Sequence, residues 1–226
     1  MLNIALADDR MDGLKELVYY LDKIPGIKLV IKAVNGHDLI VQMHKQDKLP
    51  DIVLMDINMP VIDGIAATYF LRLQYPSVKV IGLSIYDDFD SVKHIIKSGA
   101  RGYVLKAAPE SVIDKAISEV IKGRKYIDER IEFDKEKLNM LLAIDSNIED
   151  EPLFGLTKRE RMFVILNASM LTYEQIAQLM FVETKTIQTY FDRVSKKLSL
   201  TSRQALTVFS FQNGLAQVAN LTKRPI

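Results

Sequence analysis

Cysteine is absent from the 226 residues, which removes disulfides, thiol catalysis and zinc fingers together. The histidines are scattered at His37, His44 and His94, so no histidine metal cluster is in prospect, and no Walker-type glycine loop or catalytic triad pattern occurs. No apolar run approaches the roughly 18 residues that a membrane span needs. The amino terminus, MLNIALADD, has neither a basic segment nor a long apolar stretch. These absences predict a soluble, cytoplasmic protein with no membrane partner, long enough for one or two domains.

Net charge is nearly absent from the total, +1 from 30 Lys and Arg against 29 Asp and Glu, but not from the halves. From Leu153 onward ten Lys and Arg stand against four Glu and Asp, a surplus of +6, so residues 1–152 carry −5. A small basic unit joined to an acidic one suggests a polyanionic partner for the basic half.

Within residues 2–122 the apolar runs LNIALA, IKLVIKAV, DIVLMD, VKVIGLS and GYVLK alternate with helical patterns. The runs are short and rich in Val, Ile and Leu, as strands buried on both faces are. Leu14, Leu17, Val18 and Leu21 repeat at helical spacing before Pro25 and Gly26 stop the pattern. Similar stretches fall near 37–46, 64–74, 89–98 and 110–122. Five such repeats predict an α/β doubly wound, five-stranded parallel sheet.

The runs end on chemistry. Asp8 and Asp9, Asp56, Ser84 and Lys106 each close a run, and parallel strands bring such ends to one carboxyl edge, where open α/β sheets place ligands. Three carboxylates supply hard oxygen ligands for Mg²⁺. Asp56 is the natural nucleophile toward a phosphorus whose oxygens the metal and Lys106 neutralise, and Ser84 can donate to a phosphoryl oxygen. Acids at strand ends also occur simply as loop solubilisers. Their order on successive elements argues against that here.

The second half reads differently. Residues 123–152 lose the alternation and end in IDSNIEDEP, a linker with a helical piece near Lys135–Ile144. Thr157 with Glu160, Thr172 with Gln175, and Thr201 with Gln204 form capping-box patterns, and no strand signal interrupts them. A further helix runs from about Thr184 to Leu198, with Ile187, Phe191, Val194 and Leu198 facing a core. Lys185, Gln188, Thr189, Asp192 and Lys196 then project from its other side, a polar row suited to a major groove. Gln suits adenine and Lys guanine, while Arg193, Lys197 and Arg203 are expected on phosphates.

Two resemblances cover most of the chain. The order DD, LMDINMPVIDG, GLS and GARGYVLK resembles the receiver domain of bacterial two-component response regulators, with its flavodoxin-like fold, across residues 1–122. It implies that Asp56 accepts a phosphoryl group from a sensor histidine kinase. It implies also that Asp9, Asp56 and the backbone carbonyl of Asn58 bind Mg²⁺, with Asp8 acting through water. Ser84 and Lys106 would contact the phosphoryl oxygens, Tyr103 would turn inward as Ser84 moves, and Arg10 and Tyr86 would tune phosphoryl lifetime.

The stretches LTKRERMFVIL, LTYEQIAQLM, TKTIQTYFDRVSKKLSL and TSRQAL resemble the LuxR-type helix-turn-helix of NarL/FixJ-like regulators, within an expected domain at 153–226. This implies duplex DNA as partner and a homodimer when phosphorylated. The chain departs from the pattern at Met170, Gln175, Glu183, Ile187, Gln188 and Tyr190. Glu183 is a poorer N-cap than the usual Ser, with Thr184 able to replace it. Gln188 in place of a frequent Lys should lower salt-dependent affinity.

Two other readings compete. An aspartyl-phosphate phosphatase of the haloacid dehalogenase type would carry its nucleophile in a DxD motif after the first strand, and here Asp8 and Asp9 are adjacent. The expectation is therefore a non-enzyme. A phospho-switched regulator of protein interactions, whose helical domain no longer binds DNA, is the second reading, motivated by Met170, Glu183 and Gln188.

Overall fold

The computed structural model describes residues 1–144 and 155–217. The parallel strands are β1 (Leu2–Ala7), β2 (Ile27–Ala33), β3 (Ile52–Asp56), β4 (Lys79–Ser84), β5 (Gly102–Leu105) and β6 (Tyr126–Ile127), in the order β2-β1-β3-β4-β5-β6. Between them run α1 (Met11–Leu21), α2 (Gly36–His44), α3 (Gly64–Gln74), α4 (Phe89–Ser98) and α5 (Glu110–Ile121). Side-chain alternation along each strand feeds two cores. Ile4, Leu6, Ile52, Leu54, Ile81, Leu83 and Val104 face one core, which Ile113, Ile117 and Val120 of α5 complete. Ala5, Ala7, Val53, Met55, Val80 and Tyr103 face the other, under α2, α3 and α4.

The sheet has six strands, where five were expected. Tyr126 and Ile127 pair with Gly102 and Tyr103 inside the segment read as a linker. Two residues are too few to show a strand period, and the pairing is fixed by neighbours: Tyr126 N–H donates to Arg101 O, and Asp128 N–H to Tyr103 O. The expected helical piece forms as α6 (Lys135–Ala143), capped by Asp134 and packed on α4. Residues 145–154, the end of the expected linker, and 218–226, the end of the expected helical domain, lie outside the described residues.

The helical part contains α7 (Lys158–Asn167), α8 (Tyr173–Met180), α9 (Thr184–Leu198) and α10 (Arg203–Gln212). Thr157–Glu160 and Thr172–Gln175 close as reciprocal capping boxes. The third does not: α10 is capped by Ser202, whose hydroxyl accepts from Ala205 N–H at 3.1 Å, and Thr201 lies outside the helix. Nor does Thr184 replace the missing serine cap. Glu183 holds the N-cap position of α9 without a side-chain hydrogen bond, and its carboxylate pairs with Lys185 instead. Ile187 and Val194 are fully buried, with Phe191 and Leu198 packed beside them, so the expected apolar stripe faces the core.

The helical part rests on the receiver through α7 against α3. Met170 N–H donates to Val61 O, Gln217 N–H to the Asp63 carboxylate at 3.0 Å, and the His44 and Phe181 rings lie 4.3 Å apart. Asp63 also caps α3 by accepting from Ala66 N–H at 2.8 Å. No helix among the described residues is long and apolar enough to cross a membrane.

Asp63 supplies a pH-dependent prediction. Burial pushes its carboxyl up to about 6, against the pull of the Ala66 and Gln217 amides. The unfolded chain keeps the ordinary value near 3.8, so between about pH 4 and 6 the folded state binds the extra proton and stability falls as pH rises. The full swing is about 3 kcal/mol. Asp63→Asn keeps a cap acceptor and cannot titrate. Urea midpoints of parent and variant from pH 4 to 7 should therefore diverge, with the variant gaining on the parent as pH rises.

Candidate functional site

At the carboxyl edge of the sheet, Asp8 follows β1, Asp56 ends β3, Ser84 ends β4 and Lys106 follows β5. The carboxylates of Asp8, Asp9 and Asp56 bring ligand oxygens within 4.8 Å of one another. Asp8 and Asp56 are buried and Asp9 is exposed. Lys106 reaches in from the β5 side, its ammonium 2.6 Å from Asp8 and 2.7 Å from Asp56. These are charge-assisted contacts at the short end of the range, in a place with little water.

Asp56 shows which effect wins. Burial raises its carboxyl, Lys106 lowers it, Asp8 raises it again, and the Asn58 N–H hydrogen bond at 3.1 Å lowers it; the balance is about 6. At neutral pH the group is ionised yet less stabilised than a solvent-exposed carboxylate, which suits a nucleophile. The oxygen-only donor set of Asp8, Asp9 and Asp56 fits a small divalent cation that keeps part of its water shell. The edge can thus hold an anionic phosphoryl group between a cation, an ammonium and a nucleophilic oxygen.

Ser84 is buried, and its hydroxyl oxygen accepts from Tyr86 N–H at 3.2 Å. Tyr103 is fully buried in β5 and its hydroxyl donates to Tyr86 O at 2.6 Å. Both therefore bear on the same β4–α4 loop residue. Arg10 is exposed and holds Asp8 through its backbone N–H at 2.9 Å. Sequence reasoning missed Asp128 and Arg130, which lie at this edge beside Lys106. Their only signal is an Asp and an Arg two apart after a two-residue apolar pair.

On α9, Lys185, Gln188, Thr189, Asp192, Arg193 and Lys196 are all exposed. Gln188 donates to Asp192 at 3.0 Å, and Arg193 and Lys196 have no ion-pair partner among the described residues. Lys197, itself exposed, and the half-buried Arg203 are turned toward partners within the protein. The Lys197 ammonium lies 2.6 Å from the buried Glu160 carboxylate and 3.1 Å from Gly155 O. Arg203 donates to Leu171 O, with its guanidinium 4.9 Å from the Tyr173 ring centre. Both have structural partners that compete with any phosphate.

A parallel sheet with an acid cluster and a lysine at its carboxyl edge, followed by a compact helix-turn-helix, defines a two-part signalling protein. Comparison with known families agrees. Residues 4–118 match the response regulator receiver domain, and residues 155–210 match the bacterial regulatory proteins of the luxR family. The chain belongs to the response regulators of the NarL/FixJ type, and its class is transcription regulation. It is 29% identical to the transcriptional regulatory protein DegU of Brevibacillus brevis, over 96% of each chain. It is 28% identical to the oxygen regulatory protein NreC of Staphylococcus carnosus, over 95% of this chain and 99% of that one. The solved structure of the Salmonella typhimurium response regulator RcsB shares the fold, with a TM-score of 0.52 at 22% identity over 92% of this chain and 97% of that one.

Proposed function

We propose that Asp56 is the phosphoacceptor of a two-component system and that its phosphorylation controls dimerisation and DNA binding. An Asp56 carboxylate oxygen attacks the phosphorus of a phosphohistidine on a sensor kinase; the P–N bond breaks as the P–O bond of the acyl phosphate forms. Lys106 balances charge on the phosphoryl oxygens, and Ser84 donates to one of them. Asp9, Asp56 and the Asn58 carbonyl would hold Mg²⁺, with Asp8 through water, and the ion would neutralise further phosphoryl charge. The observation carrying this reading is the convergence of Asp8, Asp9, Asp56 and Lys106 at one edge.

Tyr103 and Ser84 relay the change, since both bear on Tyr86. Moving a two-state receiver from 1:99 to 99:1 takes about 5.5 kcal/mol, within reach of a few new charge-assisted hydrogen bonds. The output is the exposed row on α9: Lys185, Gln188, Thr189, Asp192 and Lys196 toward base edges, Arg193 toward phosphate. Two such helices in a homodimer meet half-sites about one helical turn apart. The protein acts in the cytoplasm, with a receiver unit that runs from residue 1 past the expected end at 122 through β6, and a helical unit at 153–226.

Selection from a random duplex pool tests this, with the protein, Mg²⁺ and acetyl phosphate set beside Asp56→Ala. The expected result is a two-fold-related motif enriched only by the phosphorylated protein. Equal enrichment by both would remove phosphoryl control from the reading. Enrichment by neither would favour a phospho-switched regulator of protein interactions, the reading that Met170, Glu183 and Gln188 motivate.

A further inference from the structure

Strand β6 brings Asp128 and Arg130 against the peptides on either side of Lys106. Asp128 is 1% exposed, and its carboxylate accepts from Leu105 N–H at 3.0 Å. Arg130 grips both oxygens of that carboxylate, through Nε at 3.0 Å and Nη2 at 2.6 Å. Its third nitrogen, Nη1, donates to Ala107 O at 3.0 Å. Lys106 N–H itself donates to Ser84 O at 2.7 Å. Three successive residues, Leu105 to Ala107, are therefore pinned by groups from β4 and from the segment after β6.

We propose that Asp128 and Arg130 are positioning residues that fix the backbone of Lys106, so that its ammonium is aimed at Asp8 and Asp56. The proposal rests on the reading of Asp56 as phosphoacceptor. A lysine carries four flexible methylenes and about 2 kcal/mol of rotamer entropy. Its stem is aimed only as well as its Cα is held, and charge placed at a reacting centre must be accurate to about 0.5 Å. Stability alone explains the arrangement poorly. Asp128 is buried but the Arg130 side chain is 36% exposed, and an ion pair with one partner in water adds little stability. A planar guanidinium that holds one carboxylate twice and a neighbouring carbonyl once supplies geometry.

Removing the clamp should therefore matter only through Lys106. The test measures labelling of Asp56 by acetyl phosphate and Mg²⁺, by intact-mass spectrometry on the full-length protein near pH 9, where Asp56 is ionised. Parent, Arg130→Lys, Asp128→Asn, Lys106→Ala and both double variants are compared. Arg130→Lys keeps the charge but cannot span both the carboxylate and Ala107 O. Each clamp variant should label about tenfold more slowly than parent and should add no further loss in the Lys106→Ala background. Should Asp128→Asn unfold, Arg130→Lys with a near-parent urea midpoint carries the comparison. Equal losses in both backgrounds would mean that the pair merely fastens β6, and no loss in either would mean that it does not aim Lys106; both results overturn this proposal and leave the Asp56 reading standing. A parent protein that takes no label at Asp56 overturns both.

Discussion

Gly64→Ala should destabilise the receiver by about 3 kcal/mol or more and should slow labelling of Asp56 in the molecules that still fold. A Cβ on Gly64 would fall inside the contact distance of the Asp56 carbonyl oxygen and 2.7 Å from Ile57 Cα. Both obstacles are backbone, so no side chain can swing aside. Gly64 N–H also donates to Ile57 O at 2.9 Å, which ties the first turn of α3 to the peptide after Asp56. Whatever gives way is the main chain that carries Asp56. Gly26→Ala is the control: nothing lies within 4 Å of its Cβ position, and its cost is the positive φ of 86° alone. That strain is worth about 1–2 kcal/mol, at the other end of β2. Urea midpoints and labelling rates of the two variants, measured side by side, check the difference. A Gly64→Ala protein that matched the parent in both would show that the β3–α3 connection tolerates a methyl group.

The same connection shows what sequence can and cannot carry. Strands β1 to β5 and helices α1 to α5 announce themselves because burial on both faces writes short runs rich in Val, Ile and Leu with helical patterns between them. The site is legible for a related reason: Asp8, Asp56, Ser84 and Lys106 sit at strand ends, where topology alone brings them together. Contacts between the two parts are not legible. Beside the His44–Phe181 ring contact, the hydrogen bonds between them start from backbone groups, Met170 N–H to Val61 O and Gln217 N–H to Asp63, which no residue type advertises. Strand β6 escapes for want of length. Its follow-on pair, Asp128 and Arg130, looks like ordinary surface charge until Leu105 and Ala107 are seen beside it.

Competition among cations is the other blind spot. Lys197 and Arg203 have the charge and the spacing of phosphate contacts. Lys197, however, is claimed by Glu160, 37 residues away in sequence, whose carboxylate also closes the capping box at Thr157. Arg203 is claimed by Leu171 O. A capping-box pattern predicts that Glu160 turns back on its own helix start, but not that a lysine from α9 joins it. The exposed cations Arg193 and Lys196 are consequently the stronger candidates for salt-dependent contact with a polyanion.

Lys106→Ala should lower the rate of Asp56 labelling about 100-fold at neutral pH, the scale expected for removing one preorganised charge partner. Two losses combine in that figure, and pH separates them. In the parent protein burial raises the Asp56 carboxyl, Lys106 opposes the rise, and Asp8 adds to it, giving about 6. Without the ammonium, burial and Asp8 are opposed only by the Asn58 N–H, so the carboxyl titrates higher still. At neutral pH the variant then holds more of its Asp56 as the unreactive acid. Raising the pH toward 9 should recover that part of the rate. It should not recover the part due to the missing cation beside the phosphoryl oxygens, so a plateau below the parent must remain. Carbon-13 titration of the Asp56 carboxyl without metal reads the first loss, and labelling by acetyl phosphate with Mg²⁺ from pH 5 to 9 reads the second. A variant that reached the parent rate at high pH would confine Lys106 to holding the carboxylate ionised; an unmoved titration with a lowered plateau would confine it to the phosphoryl group.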